Sequence, residues 1–151
     1  MSDRQTAADD LLRAAARLNR WASRHASFEV PYAQARLLAL LEELGPARVS
    51  MLADADHSSQ PAMTTALQRL EAQGWAQRVS DPADARASLL SLTPLGRDAL
   101  ERVRAARVAA LAPALDALPE SDLQRLREAV AAMQDLLNRA APRTLPTRKD
   151  S

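Results

Sequence analysis

The sequence predicts a mainly α-helical protein interrupted by one small β-hairpin. Over most of the 151 residues, leucine and alanine recur three or four positions apart, which is the spacing of one helix face. Only 3% of the residues are aromatic and three are glycine, whereas strands favour aromatic and β-branched side chains. A stretch around residues 75–92 alternates apolar and polar side chains and contains an Asp-Pro turn signal. The length suits one domain, or a domain that completes its core by dimerising.

Two helices are expected in the first third of the chain. The first covers Ala7–Ala26, and its apolar stripe consists of Leu11, Ala14, Leu18, Trp21 and His25. The second covers Tyr32–Leu44 and ends at Gly45-Pro46, because glycine followed by proline is a strong helix stop. The stripe on the first helix requires a partner surface.

The next two helices are short and close together in sequence. One covers Val49–Asp56, with Ser50 as its candidate cap. The other is capped by Ser59 and ends at Gly74, with Pro61 in its first turn, where the missing N–H would have no partner. Two short helices joined by a tight turn form a helix-turn-helix pattern.

A hairpin and two longer helices follow. Strands are expected over Trp75–Ser80 and Ser88–Leu92, on either side of a turn with the sequence DPADAR. Thr93-Pro94 starts a helix that is expected to end before Pro113, where a linker begins. The last helix carries a heptad-like apolar seam, typical of helix pairing, at Leu123, Leu126, Val130, Met133 and Leu137. Residues 141–151 are expected to form a flexible tail.

Composition excludes several classes of protein. There is no cysteine, which removes disulfides, thiolate zinc sites and thiol redox chemistry. The two histidines are too few for a histidine-rich site, and Asp81 with Asp84 would lack the phosphates that complete a Mg²⁺ site, so we expect no metal and no cofactor. The sequence has no glycine-rich phosphate loop, nucleophile elbow or HExxH motif, so we do not expect an enzyme. No apolar run reaches the length of a membrane span, and we expect a soluble, cytoplasmic protein.

The order of elements and three motifs resemble the MarR family of bacterial transcription regulators. The motifs are VSMLADADHSSQPAMTTALQRLEAQGW at residues 49–75, RVSDPADAR at 78–86 and LSLTPLG at 90–96. The resemblance implies a winged helix-turn-helix lobe, residues 46–97, inserted between dimerisation helices in residues 1–45 and 98–140. It implies a homodimer with interlocking N- and C-terminal helices that binds double-stranded DNA at a pseudo-palindromic operator. It also implies a repressor that a small aromatic or anionic ligand releases.

The helix that follows Ser59 is the expected recognition helix. A helix entering the major groove needs short polar side chains near its N-terminus, where the partial positive charge also favours phosphate. The candidates for base and phosphate contacts are Ser58, Ser59, Gln60, Met63, Thr64, Thr65 and Gln68. Glutamine can pair bidentately with adenine, and Met63 and the threonine methyls can contact thymine methyl groups. The alternative is that Ser59 only caps the helix, Met63 belongs to the core and the threonines are solvated.

Arg86 is the residue expected to read DNA from the hairpin. Held at the tip, an arginine can enter the minor groove, whose negative potential is deepest where A·T tracts narrow it. The family resemblance implies an Asp-x-x-Asp-x-Arg setting in which Asp84 orients the guanidinium of Arg86. The alternative is a surface ion pair on an exposed turn, worth about 0–1 kcal/mol. Arg48, Arg69 and Arg78 are further candidate phosphate contacts.

Three positions depart from the family pattern and raise an alternative function. Many members of the family carry a basic residue where Ala85 stands, an arginine where Thr65 stands and an apolar residue where Ser58 stands. Residues 47–97 hold five arginines and five acids, so the lobe has no net charge, and the whole chain carries only +1. A winged-helix protein-interaction module without DNA affinity is therefore the alternative.

Aromatic residues near the end of the first helix form a candidate effector pocket. The members of this cluster are Trp21, His25, Phe28, Tyr32 and Arg36. Within it, Arg36 can balance the charge of an anionic ligand. The alternative is that the cluster belongs to the core of a dimer.

Overall fold

The computed structural model describes residues 1–140, which form six helices and one two-stranded antiparallel hairpin. The elements are α1 (Asp3–His25), α2 (Tyr32–Leu44), α3 (Val49–Asp56), α4 (Gln60–Ala72), β1 (Ala76–Asp81), β2 (Asp84–Leu92), α5 (Pro94–Asp116) and α6 (Glu120–Ala140). The predicted fold class, mainly α with a small hairpin, is confirmed. The predicted flexible tail lies outside the described residues.

The chain divides into two compact units, Met1–Leu111 and Ala112–Ser151. The first unit holds α1 to β2, most of α5 and the hydrophobic core. The core is built from α2, α3, α4, the hairpin and α5, and its fully buried large side chains are Leu38, Leu41, Leu52, Leu67, Leu70, Leu90 and Val103. In the described part of the second unit, α6 has no buried residue. Among residues 1–140, no helix combines the length and apolarity needed to cross a membrane.

Helix boundaries follow local hydrogen bonding. α1 begins earlier than predicted because Ser2 and Gln5 form a capping box, in which each side chain accepts a hydrogen bond from the backbone N–H of the other residue. α2 and α3 begin and end where the sequence predicted. Ser50 does not cap α3, because Arg48 occupies the N-cap position and Ser50 lies inside the helix. The turn into α4 places His57 in the left-handed region, at φ 54°.

The prediction that α5 ends before Pro113 is wrong. The helix continues to Asp116 with Pro113 inside it, so the predicted linker shrinks to the residues between Asp116 and Glu120. Proline removes one backbone donor and clashes with the preceding turn. Because Pro113 lies within the last turn of α5, few helical hydrogen bonds remain beyond it to be lost.

Hydrogen bonds and one close backbone approach connect the base of the hairpin to the helices. Ala47 and Leu90 exchange two backbone hydrogen bonds, of 3.0 and 2.8 Å, so the residue before Arg48 forms a bridge with β2. Thr93 caps α5 by accepting a hydrogen bond from Gly96 N, and its hydroxyl donates to Gly74 O at 2.5 Å. A Cβ at Gly96 would lie 2.0 Å from the Trp75 carbonyl oxygen, so only glycine permits this approach.

The far end of the hairpin differs from the prediction. Ser80 pairs with Ser88, but the next residue, Asp81, pairs with Asp84, so three residues of β2 between those pairs form a bulge. The turn itself consists only of Pro82 and Ala83, rather than the six residues DPADAR. Arg86 therefore lies in the bulge of β2 and not in the turn. Arg86 still lies near the end of the hairpin, as the sequence predicted.

Candidate nucleic-acid interface

The N-terminus of α4 is held by Ser59, as predicted. Ser59 has extended backbone angles, φ −74° and ψ 153°, and its Oγ accepts a hydrogen bond from Ala62 N at 3.3 Å. Pro61 lies in the first turn, where it sacrifices no helical hydrogen bond. The start of α4 is therefore fixed, and the free backbone N–H groups of its first turn point out of the helix end. This arrangement favours the binding of an anion.

The inner face of α4 is apolar and packs into the core. Met63, Leu67 and Leu70 recur at helical spacing and are all buried, with Met63 only 2% exposed. The prediction that Met63 contacts thymine methyl groups is therefore wrong, because its side chain is part of the core. Its spacing of four residues from Leu67 and seven from Leu70 already indicated the buried face.

The outer face of α4 carries the remaining predicted side chains. Gln60, Thr65, Gln68 and Arg69 are exposed, whereas Thr64 is half-buried at the edge of this face. The Thr65 hydroxyl donates to Pro61 O at 3.1 Å, which leaves its methyl group and an oxygen lone pair directed away from the backbone bond. Thr65, Gln68 and Arg69 thus form the centre of a polar surface of the kind that a major groove accepts.

Ser58 is not part of that outer surface. It is half-buried, and its Oγ is enclosed with no hydrogen-bond partner among residues 1–140. Ser58 borders a cavity of about 280 Å³ between α2 and α4, together with Met63 and Ala66. Direct contact between the Ser58 hydroxyl and DNA is therefore not supported by its position.

Arg86 is exposed in the bulge of β2, between two alanines. The Asp84 carboxylate accepts a hydrogen bond from the backbone N–H of Arg86, at 3.0 Å, rather than from its guanidinium. Asp84 thus shapes the backbone of the bulge, which corrects the expected role of orienting the guanidinium. Within the described chain, Arg86 forms no ion pair, so its charge is available to a ligand.

Two of the predicted phosphate contacts are engaged inside the lobe instead. Arg48 donates from Nε and Nη2 to Asp81 Oδ2, at 2.9 and 2.5 Å, and Arg78 pairs with Glu71 at 3.0 Å. Asp81 Oδ1 also accepts a hydrogen bond from Ala83 N. The Ala83 N–H and the Arg48 guanidinium hold the pKa of Asp81 below its usual range, and Asp81 in turn raises the pKa of Arg48.

This connection between helix and hairpin is not predicted by the sequence, in which Asp81 indicates only a turn. Asp81 is 8% exposed and joins the start of α3 to the end of β1. No group of three or more metal-ligating side chains occurs in residues 1–140. The signal that could have revealed the pair is its chemistry, because a buried aspartate requires a charged partner.

The five residues of the candidate effector pocket do not line one common cavity. Trp21 and His25 stack on each other, with ring centroids 4.1 Å apart. Phe28 lines a cavity of about 310 Å³ and lies 5.9 Å from the Arg107 guanidinium. Arg36 is paired with Asp56 and borders the cavity between α2 and α4.

A different cavity brings Tyr32 close to positive charge. It has a volume of about 430 Å³ and is lined by Arg20, Ser23, Arg24 and Tyr32. Neither Arg20 nor Arg24 has an ion-pair partner in the part of the chain that the structure describes. Two guanidinium groups beside a phenol can hold an anion that carries an aromatic ring.

The fold defines a winged helix-turn-helix protein, in which α3 and α4 form the helix-turn-helix and β1 with β2 forms the wing. Residues 30–88 match the model of the MarR family. The HTH-type transcriptional regulator YxaD of Bacillus subtilis is 40% identical over 65 residues, which cover 43% of this chain and 46% of YxaD. That match spans less than half the length of the curated relative.

Solved structures extend the likeness over most of the chain. The transcriptional regulator Tm0710 from Thermotoga maritima has 25% identity and a TM-score of 0.61, over 74% of this chain and 78% of that protein. A MarR family protein from Bacillus stearothermophilus has 22% identity and a TM-score of 0.68, over 91% of this chain and 99% of that one. The chain has the fold of MarR family transcriptional regulators, which confirms the resemblance inferred from the sequence.

Proposed function

We propose that this protein is a homodimeric, sequence-specific DNA-binding transcription regulator that acts as a repressor. Residues 46–97 form the DNA-binding lobe, and residues 1–45 and 98–140 form the dimerisation region. Each lobe places α4 in the major groove and Arg86 in the neighbouring minor groove of a pseudo-palindromic operator, with half-sites about one helical turn apart. Its place of action is then the cytoplasm, where bacterial DNA is located.

The observation that carries the proposal is the combination of an uncommitted polar face on α4 with an unpaired arginine at the end of the wing. Thr65, Gln68 and Arg69 project from α4, while its opposite face is fixed in the core. Arg86 forms no ion pair within residues 1–140. These groups suit base edges, phosphates and a narrow minor groove.

The neutral charge of the lobe does not argue against DNA binding. Arg48 and Arg78 are neutralised by Asp81 and Glu71 inside the lobe. The arginines left for a ligand on the outer face of α4 and on the wing are Arg69 and Arg86. Asp84 keeps its negative charge on the wing. Arg69 and Arg86 together still outweigh it, so the proposed interface carries a small positive charge although the count over the whole lobe is balanced.

The proposed effector is a small anion with an aromatic ring, bound in the cavity that Arg20 and Tyr32 line. This cavity lies between the C-terminal half of α1 and the start of α2, outside the DNA-binding lobe. Such a ligand would bind more tightly to a conformation of the dimer in which the two lobes are spaced wrongly for the operator. It would shift the population of dimers toward that conformation and so release the DNA. Arg20→Ala should then abolish the response to the ligand without weakening operator binding.

The decisive experiment measures binding of the purified protein to DNA from around its own gene by fluorescence anisotropy. We expect Arg86→Ala to weaken binding about 10- to 100-fold and to reduce the salt dependence by about one phosphate contact. Gln68→Ala should reduce discrimination between the operator and a mutated site. Arg139→Ala, an exposed arginine in the last turn of α6, is the matched control and should leave affinity unchanged.

The alternative function is a protein-interaction module that kept the winged fold. It is favoured by Ala85 and Thr65, which stand where many members of the family carry basic residues. Absence of DNA affinity at low salt would favour this alternative, because phosphate contacts are strongest there. Equal affinity of wild type and Arg86→Ala for the operator would show that the wing is wrongly assigned.

A further inference from the structure

An acid lies on the polar face of α4, beside the side chains that are proposed to contact DNA. Glu71 follows Gln68 by three residues and Thr64 by seven, so the three side chains share one stripe of the helix. A carboxylate at the edge of a surface that meets phosphates repels them. The presence of an acid at this position therefore requires an explanation.

Glu71 holds Arg78 of β1 through both of its carboxylate oxygens. Glu71 Oε1 lies 3.0 Å from Arg78 Nε, and Glu71 Oε2 accepts a hydrogen bond from Arg78 Nη2 at 3.4 Å. The remaining guanidinium nitrogen, Nη1, donates to Ser88 Oγ on β2 at 3.3 Å. Each guanidinium nitrogen of Arg78 therefore has a polar partner within the lobe, although the side chain is 43% exposed.

The connection between α4 and β1 does not depend on this ion pair. Gly74, at φ 73°, and Trp75 close the end of α4 in a Schellman motif, in which their N–H groups donate to Glu71 O and Leu70 O at 2.9 Å. Leu70 and Ala76, on either side of the turn, are buried in the core. An exposed ion pair adds little stability to a junction that is fixed in this way.

The ion pair of Arg48 with Asp81 is different. The Asp81 side chain is 9% exposed and also accepts a hydrogen bond from Ala83 N, so this pair is part of the structure of the hairpin. The Glu71 side chain is 25% exposed, and in the described chain its carboxylate contacts no cation or donor other than Arg78. The charge of Glu71 therefore acts on Arg78 alone.

We infer that Glu71 limits the affinity of this protein for DNA of any sequence, because it keeps the Arg78 guanidinium from a phosphate. This role rests on the proposed function, in which α4 enters a major groove and Arg86 enters the neighbouring minor groove. One sugar-phosphate strand separates two neighbouring grooves, so that strand crosses the gap between α4 and the wing. Arg78 lies in this gap, joined to α4 through Glu71 and to β2 through Ser88.

Such a limit favours discrimination between DNA sequences. Phosphate contacts carry no sequence information, and they strengthen binding to all the competing sites of a genome. With Arg78 neutralised, the side chains of α4 supply a larger share of the binding free energy. Those side chains are the ones that distinguish base pairs.

The test measures binding of the full chain to a random-sequence duplex by fluorescence anisotropy, over a range of salt concentrations. Glu71→Gln removes the charge and keeps the size of the side chain. We expect it to raise the affinity about 3- to 10-fold at about 50 mM salt, and to steepen the slope of log affinity against log salt by about 0.9, the value for one additional phosphate contact. A purely structural ion pair would give the opposite sign, because a less firmly held wing binds more weakly.

The double variant Glu71→Gln/Arg78→Gln shows whether Glu71 acts through Arg78. It should match wild type within about twofold and have the same salt slope, because both proteins then lack a free charge at this place. A double variant that binds as tightly as Glu71→Gln would overturn the assigned role, since Arg78 would then make no difference. A double variant that binds much more weakly than wild type would overturn it too, since Arg78 would already contact a phosphate in wild type.

Asp9→Asn is the matched control, since it also frees an arginine from an exposed ion pair. Asp9 pairs with Arg13 at 2.8 Å on α1, outside the proposed DNA-binding lobe. This variant should change the affinity less than about twofold and leave the salt slope unchanged, because salt screens distant charges. An effect as large as that of Glu71→Gln would overturn the role of Glu71, because the net charge of the chain would then explain both gains.

The outcomes for the role of Glu71 and for the proposed function are distinguishable. A wild-type protein that prefers its operator to the random-sequence duplex, with no gain in affinity from Glu71→Gln, would overturn the role of Glu71 and leave the proposed function standing. A chain with no affinity for either duplex at low salt would overturn both. Urea titrations of each variant check that the fold is intact.

Discussion

Asp81 accepts hydrogen bonds on both of its carboxylate oxygens: Oδ1 accepts one from the backbone of the hairpin turn, and Oδ2 accepts two from the guanidinium of Arg48. This makes Asp81 the residue through which the start of α3 and the end of β1 constrain each other. Arg48 is the natural partner, because its planar fork can donate twice to one carboxylate. Asp81 and Arg48 therefore position the end of β1 relative to the start of α3.

The lowered pKa of Asp81 makes its contribution to stability depend on pH. Because the folded pKa lies below the unfolded value of about 3.9, the ionised carboxylate stabilises the fold above that value. This stabilisation is lost as the pH falls through the folded pKa. We expect Asp81→Asn to lower the free energy of unfolding between pH 5 and 7, as read from urea titrations. The difference from wild type should shrink as the pH falls below about 4.

The same titration has an internal control in Gln77→Ala, which changes an exposed side chain of β1 that does not ionise. The difference between this variant and wild type should stay constant over this pH range. A gap between Asp81→Asn and wild type that stayed constant down to pH 3 would contradict the assigned role, since the stabilisation would not then depend on ionisation.

At the scale of elements, the turn between α3 and α4 holds two adjacent serines with opposite roles. Ser59 accepts the first hydrogen bond of α4, whereas the Ser58 hydroxyl is enclosed without a partner in residues 1–140. We expect Ser59→Ala to lower the free energy of unfolding by about 1 kcal/mol. Ser58→Ala should leave the free energy unchanged or raise it, because it removes an unsatisfied polar group.

Urea titrations at one pH measure both serine variants, and the pair serves as its own control because the substitutions are chemically identical. Operator binding adds a second comparison. Ser59→Ala should also weaken DNA binding, since the start of α4 is less firmly held, while Ser58→Ala should not. Equal destabilisation by the two variants would contradict the assigned difference between their hydroxyls.

How far the elements could be predicted depended on whether their signals were local. The bounds of α2 and α3 agree with the prediction, because Gly45-Pro46 and the turn at Asp56–Ser59 are strong local signals for a helix end. The start of β2 was missed because Ala85, Arg86 and Ala87 have no β pattern and lie in a bulge. The structure of this segment depends on contacts with distant parts of the chain, which a short stretch of sequence does not show.

The candidate interface shows the same limit. Apolar spacing could have assigned Met63 to the core, since Leu67 and Leu70 share its face. The engagement of Arg48 by Asp81 could not be read from spacing, because 33 residues separate the two. Arg86 was named from its motif, and its actual setting in a bulge depends on the pairing of Ser80 with Ser88.

At the scale of the whole molecule, α6 carries the largest group of uncovered apolar side chains in the described chain. Leu126, Val130, Leu136 and Leu137 are 45–69% exposed. Three of them belong to the seam predicted from the sequence. The exposed seam is the second surface, after that of α1, that the proposed dimer must cover.

We expect Val130→Asp to raise the dissociation constant of the dimer more than tenfold, because a buried valine contributes about 1.5–3 kcal/mol and symmetry doubles the loss. On dilution, the midpoint of thermal unfolding should therefore fall more for wild type than for the variant, because only the wild-type dimer contributes stability that dilution can remove. Ala132→Asp, on the outer side of α6, is the matched control and should leave the dimer intact. Equal effects of the two substitutions would contradict a seam at Val130.

The bridge between Ala47 and Leu90 gives the hairpin two regions with different motions. Its paired hydrogen bonds join the base of β2 to the start of the helix-turn-helix, so the Leu90 amide should exchange with deuterium only in large-scale opening. The bulged residues Ala85–Ala87 lie beyond the regular ladder, and their amides should exchange far sooner. In the proposed complex with DNA, the end of the wing would therefore adjust to the width of the minor groove, while α4 stays fixed.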